Sequence, residues 1–296
     1  MSIPYLKYSV PLSAHTTFKI GGPATAVFEA NSAASVIEST WKAKGMGLLW
    51  QVIGHGSNIL ASDQGYDGAI IVFKDEIPPH DDENGTITVS GGYTLKKLID
   101  FMAEKGKGGL ENLYGIPGTV GGAIAGNAGA YGSQIADSIS SVLIMDRAGN
   151  VRKVKRDELE FAYRWSSIKE AGHVVLEATF RTDEKDPTEL KRTIDERLAD
   201  RKRKHPDPKG TNTAGSFFKN PLGQDGKRIS AGKLLEEAGC KELRVGGARL
   251  WHTHANIIVA DENATAADVR KLANTMATRV SEKYGINLLP EVCYLE

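Results

Sequence analysis

The stretch Glu111–Gly132, ENLYGIPGTVGGAIAGNAGAYG, offers only Glu111, Tyr114 and Tyr131 for acid or base chemistry. It must act through its main chain. Gly115, Gly118, Gly121, Gly122, Gly126, Gly129 and Gly132 are interleaved with Ala, Ile and Val, so backbone N–H and C=O groups can approach a large flat ligand where any Cβ would collide. A flexible linker would be polar, and this segment is apolar. The pattern describes a wall for a ring system and its phosphates.

A second glycine loop, Gly54-His55-Gly56-Ser57-Asn58, follows the apolar run 48–53, and its successive N–H groups suit a nest for a pyrophosphate. It has no P-loop lysine and no third glycine at dinucleotide-fingerprint spacing, so neither a Walker ATPase nor a standard Rossmann domain is supported. Gly21-Gly22, after Thr16-Thr17-Phe18-Lys19-Ile20, has the same flavour. Glycine loops of this kind in one half of a chain favour a long cofactor with two phosphates and a ring at one end, which in outline is FAD.

Other patterns exclude more than they suggest. With 37 basic and 37 acidic residues in 296, no global field steers the chain to nucleic acid or an anionic membrane. Arg201-Lys202-Arg203-Lys204 reads as the solvated end of a helix, complementing its dipole, and no aromatics are interleaved for base stacking. His252 and His254 lack companions at metal-ligand spacing, so no metal is expected; His254 reads as a satisfied histidine or a substrate contact. Cys240 and Cys293 are too few and too isolated for a disulfide framework. Residues 1–10 carry no apolar core of a leader, and no run is long enough to cross a membrane, so a cytoplasmic location is expected.

The elements that must position these loops are short and mixed. Helices are expected over 33–44, 95–105, 189–204, 231–238 and 266–284, the last with Val269, Leu272, Met276 and Val280 on one face and a Thr265/Asp268 capping box. Strands are expected at 48–53, 69–73, 86–90, 139–146, 151–154, 174–181 and 287–295, with a hairpin turn at Arg147-Ala148-Gly149-Asn150. Mixed elements without strict βαβ alternation give an α+β fold. A boundary is expected near Asp186-Pro187, where the composition becomes charged. His205-Pro206-Asp207-Pro208 then ends the helix.

The segments HTTFKIGGPA, GHGSNIL, ENLYGIPGTVGGAIAGNAGAYG, YRWSSIK, AGSFFKNP, HTHANIIV and LLPEV resemble, in this order, the motifs of the UDP-N-acetylenolpyruvoylglucosamine reductase family, and the likeness spans residues 15–294. The resemblance implies a vanillyl-alcohol-oxidase-type FAD-binding domain over 1–185, in two α+β subdomains split near 60–75. It also implies an α+β substrate-binding domain over 186–296 whose last strand returns to the active site. It further implies NADPH as reductant, a UDP-sugar as substrate, and reduction of an enolpyruvyl ether to a lactyl ether in peptidoglycan precursor synthesis.

Carried over residue by residue, the family's serine proton donor falls on Ser216, its YRxS arginine on Arg164 and its C-terminal glutamate on Glu291. Chemistry agrees: hydride delivery to C3 of an α,β-unsaturated carboxylate creates enolate charge, which Arg164 can meet as a permanently charged fork while Ser216 supplies a proton to C2. Glu291 suits that role only if burial keeps it protonated, so a raised pKa is expected. Taken singly, Ser216 reads as a turn residue, Arg164 as a stacked cation and Glu291 as a solvated terminus; the joint pattern favours the active-site roles. Cofactor contacts are expected at Ile53, Gly54, His55, Gly56, Ser57, Asn58, Ile116, Pro117, Gly118, Thr119, Gly121, Gly122, Ala123, Gly126, Asn127, Gly129 and Ala130. Substrate-side contacts are expected at Tyr163, Lys219, Asn220, His254 and Lys204.

His205 stands where many members have glutamine before the proline, and Leu289 where a second glutamate is common. Between Ser167 and His173 there is no room for a longer tyrosine-bearing loop, which implies the shorter, second subclass. A related flavin oxidase of another small polar substrate, or a non-catalytic nucleotide-sugar binding protein, are the alternatives. No symmetric interface is legible, and a monomer is the default.

Overall fold

A computed structural model describes residues 5–207 and 210–296, so Met1–Pro4 and Pro208 of the patterns read above lie outside it. The chain forms two compact units. The first holds the described part of Met1–Tyr8, Ala26–His55 and Gly68–Arg201; the second holds Ser9–Thr25, Gly56–Asp67 and the described part of Lys202–Glu296.

The first unit is built on two sheets. One has the order Tyr5–Pro11, Pro23–Ala30, Tyr66–Phe73, Trp50–Ile53, the last pair parallel with Trp50 opposite Ala69. The other is antiparallel, ordered Val151–Lys155, Ile139–Met145, Val174–Arg181, Thr86–Ser90, His80–Asp81. Helix Leu95–Glu104 buries Leu95, Leu98, Ile99 and Met102, the i, i+3, i+4, i+7 stripe that an amphipathic helix requires. The 147–150 turn is made as expected: the Asp146 carboxylate accepts from the amides of Gly149 and Asn150.

The units do not part at residue 186. Helix Pro187–Lys204 looks uniformly charged, yet Leu190 and Ile194 are buried in it, and Ile194 with Leu198 joins the core of the first unit. That i, i+4 row keeps its residues up to Arg201 with the first unit. Segments 9–25 and 56–67 go with the second, where Phe18, Ile20 and Leu60 enter the core.

The second unit has one antiparallel sheet, ordered Asn212–Ser216, His254–Ala260, Ala248–Trp251, Arg244–Val245, covered by helices Ala231–Glu237 and Ala266–Tyr284. The Thr265/Asp268 capping box forms, and the Asp63 carboxylate adds bonds from the amides of Ala266 (2.7 Å) and Ala267 (3.0 Å). The expected final strand is shorter than read: only Cys293–Leu295 is a strand, parallel to Ile59–Ala61. Pro290 has no N–H for a ladder, and the chain before it pairs with the Ser216 segment instead.

Candidate active site

The long glycine segment is not all loop. Val120–Ala125 forms a short helix with Thr119 as N-cap, its hydroxyl accepting from the Gly122 amide, and Val120 and Ile124 buried. Glycine is a poor helix former, so this helix exists through its cap and its packing. The two glycine loops meet here: a Cβ on Gly54 would lie 2.4 Å from Thr119 Oγ1. Gly121 approaches Gly91 closely, donating to its carbonyl at 2.8 Å.

The glycines therefore separate into two kinds. At Gly54, Gly56, Gly21 and Gly22 an added Cβ would run into protein within 3 Å: into Thr119, His15, Ala61 and Asp63 respectively. These allow chain segments to pack against each other, and Gly21-Gly22 in particular is explained by its contact with 61–63 rather than by a ligand. At Gly122 a Cβ would meet only Thr119 Oγ1, at 3.4 Å, and at Gly126 only the Gly122 carbonyl, at 3.5 Å. Those two present bare backbone, with no further atom of the described residues outside the local helix within 4 Å of the built Cβ.

Asn127, at φ +43° and 1% exposed, follows that face. Its Nδ2 donates to Gln134 Oε1 and to the Ala162 carbonyl, both at 2.8 Å, which leaves Oδ1 as a buried acceptor with no partner. A buried acceptor without a donor costs about 1–3 kcal/mol, so a ligand N–H or O–H is the natural complement. The open side of Gly122 and Gly126 and the orphaned Asn127 oxygen both fit a flat, hydrogen-bonding ring system such as FAD.

Arg164 is presented by the hairpin of Phe161–Ala162 and Trp165–Ser166, whose turn is Tyr163-Arg164. Its φ is +55°, a region that costs a non-glycine residue on the order of 1–3 kcal/mol and is tolerated where surroundings impose it. The surroundings here are specific. Asn127 holds the Ala162 carbonyl, Ser166 Oγ donates to the Ala125 carbonyl at 2.7 Å, and Arg164 Nη2 donates to the Gly129 carbonyl at 2.7 Å. The Tyr163 ring lies under the guanidinium, 5.1 Å to its centroid. The chain from Ser167 onward goes straight into the single turn Ser167–Glu170, so no long loop is present.

His55 is half-buried, and burial, then Lys74, holds its imidazole below the ordinary 6.5. Arg201 departs from the solvated-face expectation: a Cβ on Gly115 would lie 2.8 Å from its Cδ, and burial pulls its pKa down, whereas Lys202, Arg203 and Lys204 are exposed.

In the second unit Ser216 ends strand Asn212–Ser216 just after a bulge. Thr213 pairs with Val259 and Ser216 with Ile257, three steps against two. The Thr213 hydroxyl braces the extra residue, donating to the Ile258 carbonyl at 2.7 Å and accepting from the Gly215 amide at 3.2 Å. Gly215 has φ +76° with nothing within 4 Å of a built Cβ, so its glycine serves conformation and not space. Bulges re-aim side chains, and this one sets which face Ser216 occupies.

Glu291 is brought beside that strand. Its amide donates to the Phe217 carbonyl at 2.7 Å, and the Lys219 amide donates to the Leu289 carbonyl at 2.9 Å. Asn58 secures the same segment from the other side, Nδ2 to the Glu291 carbonyl at 3.0 Å and its own carbonyl to the Cys293 amide at 2.9 Å. Asn220 Oδ1 accepts from the Ala231 amide at 2.9 Å, so its side chain ties the loop to the start of helix Ala231–Glu237. His254 is half-buried with its Nδ1 accepting from the Asn256 amide at 3.3 Å, which leaves Nε2 as its donor when neutral; burial, and to a lesser degree Lys204, lowers its pKa. Its ring sits 5.5 Å from that of His205, while the His252 ring lies tilted against Trp251, 4.3 Å between centroids, and is exposed. The Lys204 carbonyl accepts from the Thr253 hydroxyl at 3.0 Å.

Comparison with known proteins decides the family. The profile described as UDP-N-acetylenolpyruvoylglucosamine reductase, C-terminal domain, matches residues 207–295, and that described as FAD binding domain matches residues 24–155. Proteins named UDP-N-acetylenolpyruvoylglucosamine reductase from Caldicellulosiruptor saccharolyticus (37% identical, over 100% of this chain and 93% of that one) and Bacillus subtilis (36%, over 95% and 91%) are similar nearly end to end. The chain belongs to the UDP-N-acetylenolpyruvoylglucosamine reductase family. The crystal structure of the Thermus caldophilus reductase agrees in fold, with a TM-score of 0.82 and 31% identity over 99% of this chain and 100% of that one.

Within this family fold, two features escaped sequence reading. The helix Val120–Ala125 is hidden by its glycines, and the bracing of the Ser216 strand, Thr213 to the Ile258 carbonyl and the Phe217 amide to the Asn256 carbonyl, depends on partners far away in the sequence. The bulge left one readable sign, a glycine directly before the candidate proton donor.

Proposed function

We propose that this chain is a flavoprotein oxidoreductase that uses NADPH to reduce UDP-N-acetyl-3-O-(1-carboxyvinyl)-glucosamine to UDP-N-acetylmuramate, a cytoplasmic step of peptidoglycan precursor synthesis. The reading is supported by full-length relatives that carry the reductase name. The observation that carries it is the pairing of the Ser216 strand with the Leu289–Glu291 segment, Glu291 N to Phe217 O at 2.7 Å. That pairing puts a hydroxyl and a carboxyl on adjacent chains of one unit.

FAD, when bound, supplies the hydride that adds to C3 of the enolpyruvyl group. Gly122, Gly126 and the Asn127 oxygen are the residues that would hold its ring, the first two by bare backbone and the third by accepting a hydrogen bond. Arg164, held by the Gly129 carbonyl and the Tyr163 ring, meets the negative charge that develops on the substrate carboxylate with its two-pronged guanidinium. Ser216 gives its proton to C2. Glu291, protonated, donates a hydrogen bond to the same developing charge; an ionised carboxylate there would oppose it. Lys219, Asn220, Tyr163, His254 and Lys204 are assigned to the sugar nucleotide and NADPH, whose phosphates need cationic and N–H partners.

The test is a purified, yellow protein whose NADPH consumption depends on the enolpyruvyl UDP-sugar and continues without oxygen. A colourless protein that FAD cannot reconstitute, or NADPH turnover that follows oxygen and ignores the sugar nucleotide, refutes the proposal.

A further inference from the structure

Strand His254–Ala260 carries a buried amide that the reaction as described leaves unused. Asn256 is 2% exposed, and every hydrogen bond it makes to the Ser216 segment is to main chain. Its own carbonyl accepts from the Phe217 amide at 2.7 Å. Beyond that point the backbone ladder stops and the side chain takes over: Oδ1 accepts from the Phe218 amide at 2.9 Å and Nδ2 donates to the Phe218 carbonyl at 2.8 Å. The amide side chain stands in for a peptide unit and engages both polar groups of Phe218. Only Asn or Gln offers a donor and an acceptor in that arrangement, and only Asn has the reach seen here.

The Phe217–Phe218 pair is the rung between two reacting groups. On one side it follows Ser216 directly, after the bulge braced by Thr213. On the other its Phe217 carbonyl accepts from the Glu291 amide, and the neighbouring Lys219 amide reaches Leu289. We propose that Asn256 is the positioning residue that fixes Ser216 and Glu291 relative to each other for proton delivery, an inference that rests on the proton-donor reading of Ser216. Buried, doubly satisfied amides hold a geometry sharply, and a shift on the order of 1 Å at a reacting group costs about 100-fold in rate.

The experiment uses the full-length, FAD-loaded protein and follows its two half-reactions anaerobically, flavin reduction by NADPH and reoxidation by the enolpyruvyl UDP-sugar. Asn256→Asp keeps the side-chain shape and removes the donor to the Phe218 carbonyl. It is expected to slow reoxidation about 10- to 100-fold with a larger solvent deuterium isotope effect, while reduction by NADPH stays within about twofold. Val269→Ala, in the same core, lowers thermal stability without that selective slowing. The double variant Ser216→Ala/Asn256→Asp reoxidises more slowly than Ser216→Ala by clearly less than the loss that Asn256→Asp alone produces, because the part of its effect that acts through the serine has nothing left to act on. If Asn256→Asp does not accumulate folded and loaded, Asn256→Gln, which keeps both amide functions but displaces them, is measured in its place. Reoxidation within about twofold of the parent, equal slowing of both half-reactions, or multiplicative losses in the double variant overturns the inference. Ser216→Ala that reoxidises at the parent rate removes the underlying reading instead.

Discussion

Gly122 and Gly126 differ physically from Gly54 although all three sit in glycine motifs. At Gly54 a Cβ would strike Thr119 at 2.4 Å, whereas at Gly122 and Gly126 nothing closer than 3.4 Å stands in the way. Gly122→Val and Gly126→Val are expected to accumulate as folded apoprotein, with thermal midpoints within a few degrees of the parent apoprotein and little or no bound FAD by absorbance. Gly54→Val is expected to lower the apoprotein midpoint itself, since about 1–3 kcal/mol of overpacking acts on the fold. Full flavin content in both Gly122→Val and Gly126→Val contradicts the bare-backbone wall. At the same scale the sequence showed which residues are glycine but not why: Gly21-Gly22 looked like a ligand loop and proved to be a contact with 61–63, because close approach of protein and close approach of ligand demand the same residue.

Among the elements, helix Ala266–Tyr284 was legible to its ends because its apolar stripe and its capping box say the same thing. Strands Thr86–Ser90 and Val174–Arg181 were legible for a similar reason, a β-rich run bounded by breakers. The helix Val120–Ala125 was not, since its propensity argues against it and only Thr119 and the burial of Val120 and Ile124 hold it. The final strand was over-read because Val292 and Leu295 look like strand residues, while the pairing of 289–291 with the Ser216 segment is set by chains distant in sequence. Likewise Asn256 reaches Phe218 across 38 positions, which no local pattern reports. Helix Ala266–Tyr284 has one contribution that the sequence does not display, the Asp63 carboxylate on its first amides. Asp63→Ala is expected to cost about 0.5–2 kcal/mol in chemical denaturation with flavin content retained; an unchanged midpoint would mean that the Thr265/Asp268 box suffices alone.

For the molecule as a whole, depressed pKa values at His55 and His254 set a direction for acid sensitivity. Burial holds His55 and His254 below 6.5, their ordinary value, so the unfolded chain takes up protons first as pH falls. The stability they contribute is present above about pH 6.5 and is lost as pH drops through their folded pKa values. Thermal midpoints of the FAD-loaded protein should therefore decline below about pH 6.5, and His254→Gln should flatten part of that decline; a midpoint that rises on acidification in this window would contradict the assignment.

In the proposed reaction Ser216 delivers the proton that completes the reduction. In anaerobic stopped-flow with Ser216→Ala, bleaching of the flavin by NADPH should proceed at the parent rate, while reoxidation by the enolpyruvyl UDP-sugar should fall by about 10²–10⁴-fold. Reoxidation at the parent rate, or loss of both steps together in a folded, FAD-loaded variant, would contradict it.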